Sequence, residues 1–306
     1  MDTLNLIQLV DTLFIDHDIN NYSLRLFTNY KLKRFRISND EFKSRYVPNN
    51  RFGVGFGFAS SKLLVDIAFN IKDKNKDVTN RFDMQGTTIL GKKNYVNFYV
   101  QTYKGFKVKN NFDEDFVFRD DIKSVTIGLN MLRTLPDIEF SYTLLKAGID
   151  RLDKKFYLTG GFGAFMFYDY FSADDNVLNE ETYPYFNEQA QIKRYNSAAL
   201  GVLGGILSVF KLPENITLTC NLMPGMGLMY KHVTLEDDKY TPSNNFLFKM
   251  DYAVALGYNV DRYYLSLIYG GGVYSTKLDY DNNYRFNVTK AKLAFGYKLG
   301  TRSKKK

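Results

Sequence analysis

The chain contains no tryptophan, one cysteine and two histidines among its 306 residues. A single cysteine excludes an internal disulfide. Cys220 occupies an apolar position of the run Ile216, Leu218, Cys220, Leu222 and reads as a small hydrophobe. Long hydrophobic runs are also missing. The best stretch, Ala198 to Phe210, is too short and too broken by glycine to supply the roughly 20 apolar residues of a transmembrane helix. Met1-Asp2 opens on an acid with no basic region or long apolar core behind it, so no signal peptide is expected in this sequence. That leaves a trimmed mature chain or a chain that is not exported.

What is present is aromatic and alternating. Tyrosine and phenylalanine number 24 and 26, against a mean hydropathy of −0.31. Phe52, Val54, Phe56 and Phe58 alternate with Gly53, Gly55, Gly57 and Ala59. Leu63, Val65, Ile67, Phe69 and Ile71 alternate with Lys62, Leu64, Asp66, Ala68 and Asn70. Successive side chains of a strand point to opposite faces, so each run has one large apolar face and one small or polar face. The turn at Ser60-Ser61 makes them a hairpin. The glycines alternate within strands, as do those of Gly160-Gly161-Phe162-Gly163. They therefore fit close approach by a neighbouring strand or a plug, not a nucleotide loop, which needs a strand–turn–helix context.

The pattern recurs to the end of the chain. Strands are expected at 22–37, 51–60, 62–72, 82–91, 94–108, 121–134, 138–149, 154–171, 193–210, 215–231, 246–259, 261–278 and 284–299. Many exceed the usual soluble strand of roughly five or six residues and suit a tilted membrane-spanning strand. Thirteen is awkward, because single-chain bacterial barrels close with even numbers. The misplaced boundary is expected within 121–171, giving twelve strands, with fourteen as the runner-up. Short connections at Ser60-Ser61, Gly91-Lys92-Lys93, 211–214 and Val260-Asp261 alternate with longer polar ones at 38–50, 73–81, 109–120, 172–192 and 232–245, as short periplasmic turns and long outer loops do.

The alternating faces also argue for lipid. Val96, Phe98 and Val100 oppose Asn97, Tyr99, Gln101 and Tyr103; Val125, Ile127, Leu129 and Met131 oppose Thr126, Gly128 and Asn130. The polar side is mostly Gly, Ala, Ser, Thr, Asn and Tyr, which suits a modest lumen better than the water-facing side of a soluble sandwich or lipocalin-like barrel. Tyr30, Tyr46, Tyr103, Tyr168, Tyr170, Tyr230, Tyr263 and Tyr264 near strand ends are candidates for interfacial girdles. The fold expected is all-β: a single transmembrane antiparallel up-and-down barrel over 22–300. A lead segment at 1–21 carries Leu6, Leu9, Val10 and Leu13 at helical spacing, and a basic tail occupies 301–306.

The formal charge is +8. Part of the excess lies in Lys31, Lys33, Arg34 and Arg36 and in Arg302, Lys304, Lys305 and Lys306. These read as solvated ends and rims or as contacts to anionic headgroups and lipopolysaccharide. They fit no nucleic-acid module, so nucleic acid is not an expected partner. Catalytic signals are sparse. His17 lies between Asp16 and Asp18, and His232 lies in Lys231-His232-Val233-Thr234. A lipid hydrolase would need a nucleophile at hydrogen-bond distance from His232, and no spacing points to one. Glu236, Asp237 and Asp238, or Asp174 and Asp175, offer carboxylates to Ca²⁺ but read as exposed acidic loops. No catalytic, cofactor-binding or metal residue is assigned, and no cofactor is expected.

Tyr46-Val47-Pro48-Asn49-Asn50 followed by Gly53-Val54-Gly55-Phe56-Gly57 resembles the Tyr-x-Pro-Asn … Gly-x-Gly hairpin of a family of Bacteroidota outer-membrane barrels, domain-of-unknown-function family 4421. Tyr103-Lys104-Gly105-Phe106, Phe140-Ser141-Tyr142, Gly160-Gly161, Pro224-Gly225-Met226-Gly227-Leu228 and Ala255-Leu256-Gly257-Tyr258-Asn259 follow in the family's order. The resemblance spans about 22–300. It implies an exported outer-membrane barrel and brings no catalytic residues. Phe295-Gly296-Tyr297-Lys298-Leu299 is similar to the C-terminal signal read by the barrel-assembly machinery, with a basic tail added. The function expected is non-enzymatic: an accessory or structural subunit of an envelope assembly that contacts other outer-membrane proteins, or a narrow pore for small solutes. The alternative is a lipid-modifying enzyme centred on His232.

Overall fold

The computed structural model describes residues 22–60, 63–71, 77–91, 93–112, 116–135, 138 and 154–299. Fourteen strands follow one another: β1 (Tyr22–Ser38), β2 (Lys43–Val47), β3 (Phe52–Ala59), β4 (Leu63–Asn70), β5 (Asn80–Leu90), β6 (Asn94–Asn110), β7 (Phe116–Thr134), β8 (Phe156–Ser172), β9 (Arg194–Lys211), β10 (Ile216–Thr234), β11 (Lys239–Tyr240), β12 (Phe246–Val260), β13 (Tyr263–Asp279) and β14 (Asn282–Leu299). Twelve of them close a ring in the order β1-β3-β4-β5-β6-β7-β8-β9-β10-β12-β13-β14, with β14 pairing back to β1 and every pair antiparallel. β7 pairs directly with β8, so the strand expected at 138–149 does not enter the wall between them. Residues 139–149 of that expectation lie outside the described residues, as do the lead segment 1–21 and the tail 301–306.

β1 shows how the wall is built. Tyr22, Leu24, Leu26, Thr28, Tyr30 and Leu32 face outward and are exposed or half-buried, while Ser23, Arg25, Phe27, Asn29, Lys31, Lys33, Phe35 and Ile37 face inward and are all buried. The same outward apolar row continues through Leu293 and Phe295, Leu265 and Leu267, Val254 and Leu256, Leu200 and Val202, and Ile127 and Leu129. Large apolar side chains exposed all round a closed ring have only lipid as a stable environment, so the barrel spans a membrane. Tyr30 and Tyr230 lie at its outer margin and Tyr263 at its inner margin, as a girdle requires. Tyr46, Tyr103 and Tyr264 do not join them. All three point inward and are at most 3% exposed, because an odd or even position decides the face before propensity does.

β1 begins and β14 ends on the same side as the short turns at 60–62, 91–93, 212–215 and 261–262, which marks the periplasmic end. Two connections break the long–short rule. The 135–155 connection is long on the inner side, and the Tyr280-Asp281 turn is short on the outer side, with positive φ at both residues.

The segment expected as a loop at 38–50 contains β2. This strand pairs with the outer half of β1 through Phe35↔Tyr46 and with the outer half of β6 through Tyr46↔Val108. Strands β3, β4 and β5 fill the same gap lower down, against the inner half of β1 and up to Lys104 of β6. Twelve strands in the membrane therefore narrow to ten above it. The seam is hydrogen-bonded. Asn49 Oδ1 accepts the Thr79 N–H at 2.8 Å, and Arg81 Nη1 donates to the Lys31 and Arg51 carbonyls at 3.0 and 2.9 Å. These bonds give the Tyr46-to-Arg51 motif its structural reason.

The Phe/Gly alternation has its reason inside. A Cβ on Gly55 would lie 2.3 Å from the Ile67 carbonyl oxygen and 2.4 Å from the Phe27 ring; on Gly57 it would lie 2.2 Å from Asp66 Oδ1. Side chains of β1 and β4 lie flat over β3 because β3 presents no side chain there. Gly55→Val is expected to cost at least about 1–3 kcal/mol by overpacking. Its heat-modifiable, folded band on a gel should weaken sharply, while the outward Val54→Leu leaves that band unchanged.

Candidate functional site

The lumen is where the chemistry lies. Its walls touch across the centre. β6 and β13 lie six places apart in either direction round the ring of twelve, and β1 and β8 lie four and six places apart round the ten-stranded outer ring. Yet Phe35 of β1 stacks on Phe171 of β8 with ring centroids 5.0 Å apart, and the Tyr99 and Tyr274 hydroxyls of β6 and β13 meet at 2.9 Å.

The outer part of the lumen is aromatic. Phe35 stacks on Tyr46 at 4.3 Å, Phe171 on Tyr195 at 4.9 Å and Tyr274 on Phe286 at 4.3 Å, each pair within about 15° of parallel. The connection 173–193 folds over them as a cap. It buries Val177, Leu178, Ala190 and Ile192, and two 3-10 turns, Glu180–Tyr185 and Glu188–Ala190, shape it. The Tyr46 hydroxyl donates to the Val177 carbonyl at 3.0 Å, Tyr240 to the Gln189 carbonyl at 3.1 Å, and Arg119 Nη2 to the Asn176 carbonyl at 2.9 Å. Asp279, at the outer tip of β13, accepts the Ser243 N–H at 2.5 Å. Burial works against its charge, but the backbone N–H groups of Ser243 and Asn244 hold its carboxyl below the ordinary carboxylate range.

Below the aromatics the lumen is ionic. Lys33 reaches from β1 to Asp169 Oδ1 of β8 at 3.0 Å and also meets Ser124 and Thr126 of β7. The Tyr284 hydroxyl donates to Asp169 Oδ2 at 2.5 Å. Lys33 and Asp169 are both fully buried. Asp66 of β4 accepts from Arg25 at 2.6 and 2.8 Å and from Lys292 of β14. Lys31 lies 3.3 Å from Asp83, and Lys249 lies 2.7 Å from Asp251 while donating to Asn130. A cavity of about 100 Å³ remains between these groups, lined by Arg25, Lys31, Lys290 and Lys292 against Asp66 and Asp251. Lys290 has Gln85 Oε1 at 3.3 Å and no carboxylate at ion-pair distance among the described residues.

The residues singled out from sequence fall elsewhere. His232 lies on the outer face of β10, opposite Asn196 of β9, and no hydroxyl bonds to it among the described residues. His17 lies outside the described residues. Cys220 is half-buried on the outer face, where an apolar position was expected. Asp174, Asp175 and Glu236 to Asp238 are exposed, and the described residues contain no gathering of three potential metal ligands. Lys31 and Lys33 point into the lumen, so only Arg34 and Arg36 of that basic run reach the outer face.

The ionic lumen was not anticipated, although the sequence carries a signal for it. Asp66, Asp83, Asp169 and Asp251 each stand alone between two large apolar or aromatic neighbours that face lipid. Arg25 and Lys249 do the same with the opposite sign, and Lys292 stands between the small Ala291 and Leu293. An inward charge inside a lipid-facing strand needs a partner across the lumen. Removing one partner of a buried pair costs about 3–5 kcal/mol. Asp169→Ala is therefore expected to lower the urea midpoint of the refolded barrel strongly, and Lys33→Met with Asp169→Leu to lower it less than Asp169→Ala alone. An unchanged midpoint in Asp169→Ala would show that the pair carries nothing.

Three solved structures share the barrel architecture at low similarity. The outer membrane protease OmpT from Escherichia coli is 8% identical, with 92% of this chain and 97% of that chain covered and a TM-score of 0.39. The beta domain of the Bordetella autotransporter BrkA is 8% identical, with 90% and 99% covered and a TM-score of 0.42. The translocator domain of the autotransporter NalP from Neisseria meningitidis is 10% identical, with 97% and 94% covered and a TM-score of 0.39. No curated protein sequence matches the chain. The family described as domain of unknown function DUF4421 matches residues 9–302, and the chain, an outer-membrane-type β-barrel, belongs to that family.

Proposed function

We propose that the barrel is a non-enzymatic, non-conducting component of the outer membrane, serving as a structural or accessory subunit of an envelope assembly. Its partners are outer-membrane lipid, including lipopolysaccharide, and other outer-membrane proteins. The observation that carries this reading is the contact between opposite walls. Phe35 on Phe171, with Tyr46, Tyr195 and Tyr284 packed around them, fills the outer lumen beneath the cap with rings. A water-filled pore keeps a polar, solvated interior, and this interior is aromatic where it is narrowest.

A narrow pore is the second reading. The cation-rich cavity favours it, because four lysine and arginine side chains face two carboxylates there and would select for small anions once the cap moved. The enzyme reading has no comparable support, since His232 faces away from the lumen and, among the described residues, no nucleophile is hydrogen-bonded to it. In planar bilayers the wild-type chain is expected to be electrically silent. Phe35→Ala combined with Phe171→Ala should produce anion-selective steps if the stack is the seal. Steady conductance from the wild type would instead favour the pore. A pull-down from native outer membranes should recover fixed partner proteins, and repeated recovery of the barrel alone would count against the accessory role.

A further inference from the structure

The outer face of the wall changes character just above the apolar band. Leu32 is the last apolar outward residue of β1, and Arg34 and Arg36 follow it on the same face. Register carries the change sideways. Arg36 lies opposite Arg285 of β14 on one side and opposite Arg45 of β2 on the other, and Arg45 lies opposite Lys109 of β6. Four cations thus occupy one row across four neighbouring strands. Strand β2 creates this row, because it brings β1 and β6 to within one strand of each other at this height.

Like charges directly opposite one another destabilise a sheet. Among the described residues the contacts that offset them are weak: Lys109 lies over the Phe116 ring, 5.4 Å from its centroid. Among the described residues no carboxylate lies within ion-pair distance of Arg36, Arg45, Arg285 or Lys109, whereas the lumen lysines Lys31, Lys33, Lys249 and Lys292 each have an aspartate. Arg285 Nε has only the Asn287 amide oxygen, at 3.4 Å. Arg36 Nε is buried and has no hydrogen-bond partner among the described residues. Four guanidinium and ammonium groups in a line, one with an orphaned donor, form an acceptor-hungry surface.

We propose that this row binds the phosphate groups of a phosphorylated lipid headgroup in the outer leaflet. The position selects a lipid over a free ion. Leu32 and Arg36 are four residues apart, roughly 13 Å along a strand, so the row lies at headgroup height over a continuous apolar wall for the acyl chains. The extent selects a headgroup with more than one phosphate. Three inter-strand spacings of about 4.8 Å make the row roughly 14 Å wide, more than one phosphate covers. Arginine suits this role because its planar fork binds phosphate oxygens in pairs. The inference rests on the outer-membrane lipid contact proposed above and deepens it by naming the residues and the chemistry.

The test uses the full chain refolded into phosphatidylcholine vesicles containing either a diphosphorylated, acylated glucosamine disaccharide or the same lipid with both phosphates removed. Native mass spectrometry after detergent extraction reads retained lipid. Wild type is expected to keep the phosphorylated lipid and not the dephosphorylated one. Arg36→Gln/Arg45→Gln/Arg285→Gln should retain it at least roughly tenfold more weakly, as loss of several charge-assisted contacts requires. In pure phosphatidylcholine the same variant should unfold no earlier than wild type, because it removes like-charge repulsion. A merely structural role for the arginines predicts the opposite sign. Lys123→Gln, an outward cation off the row, should change neither readout.

Equal retention by the triple variant, equal retention of the dephosphorylated lipid, or full displacement by millimolar inorganic phosphate would each overturn the proposal. A conducting wild-type barrel would overturn the closed-barrel reading and leave these lipid results as they stand. A chain that fails to insert into either vesicle would overturn both.

Discussion

Lys33 spans the barrel. Its ammonium leaves β1 and meets Asp169 on β8, halfway round the ring, and that contact is possible only if the wall is nearly collapsed on itself. Much of the structure follows from this closeness. Inward positions must be glycine, alanine, serine or threonine wherever a long side chain from a neighbouring strand crosses them, as Arg25 and Phe27 cross Gly57 and Gly55. Most inward charges come as matched groups, Lys290 being the exception, because the lumen between them is too narrow to hydrate each one separately. Aromatic residues fill the rest at the outer end, where the ring narrows from twelve strands to ten and the cap of 173–193 buries its own Val177 and Ile192.

The outer surface obeys a different constraint. Below Leu32 it must satisfy hydrocarbon, and every strand supplies large apolar residues at alternate positions. Above Leu32 hydrocarbon no longer forbids charge, and the row from Arg285 through Arg36 and Arg45 to Lys109 appears there without acidic partners. The two faces of β1 illustrate the division within one basic run. Lys31 and Lys33 are neutralised by aspartates inside, and Arg34 and Arg36 face out. A reading of net charge alone merges these two populations, whereas the pleat separates them.

The wall was largely legible in the sequence because alternation has a period of two and lipid enforces it strand by strand. Bounds for most strands, from 22–37 to 284–299, fall within a few residues of those observed, and the need for an even count placed the surplus strand within 121–171. Strand β2 was hidden because its five residues sit beside Pro48-Asn49-Asn50, which read as a loop, and because its partners on β1 and β6 are distant in sequence. Tyr46, Tyr103 and Tyr264 were misplaced for a related reason: tyrosine suits both interface and lumen, and only the parity of the strand distinguishes them. The ion pairs escaped because each partner is ordinary alone. Asp169 between Tyr168 and Tyr170 becomes informative once Lys33 is known to lie across from it. The histidines, by contrast, attracted attention by rarity, and His232 faces outward, opposite Asn196.

The claim that opposite walls meet and exclude water from the outer lumen is tested most directly by thiol accessibility. In a Cys220→Ala background, single cysteines replace the inward Ser124 and Ser197, each 1% exposed, and the outward Asn196. All three lie in the outer half of their strands, near the aromatic stack. Addition of a membrane-impermeant maleimide to the folded barrel should label the cysteine at 196 rapidly and leave those at 124 and 197 unreacted until the protein is denatured. Labelling at 124 and 197 at the rate seen at 196 would show a water-filled lumen and contradict the account.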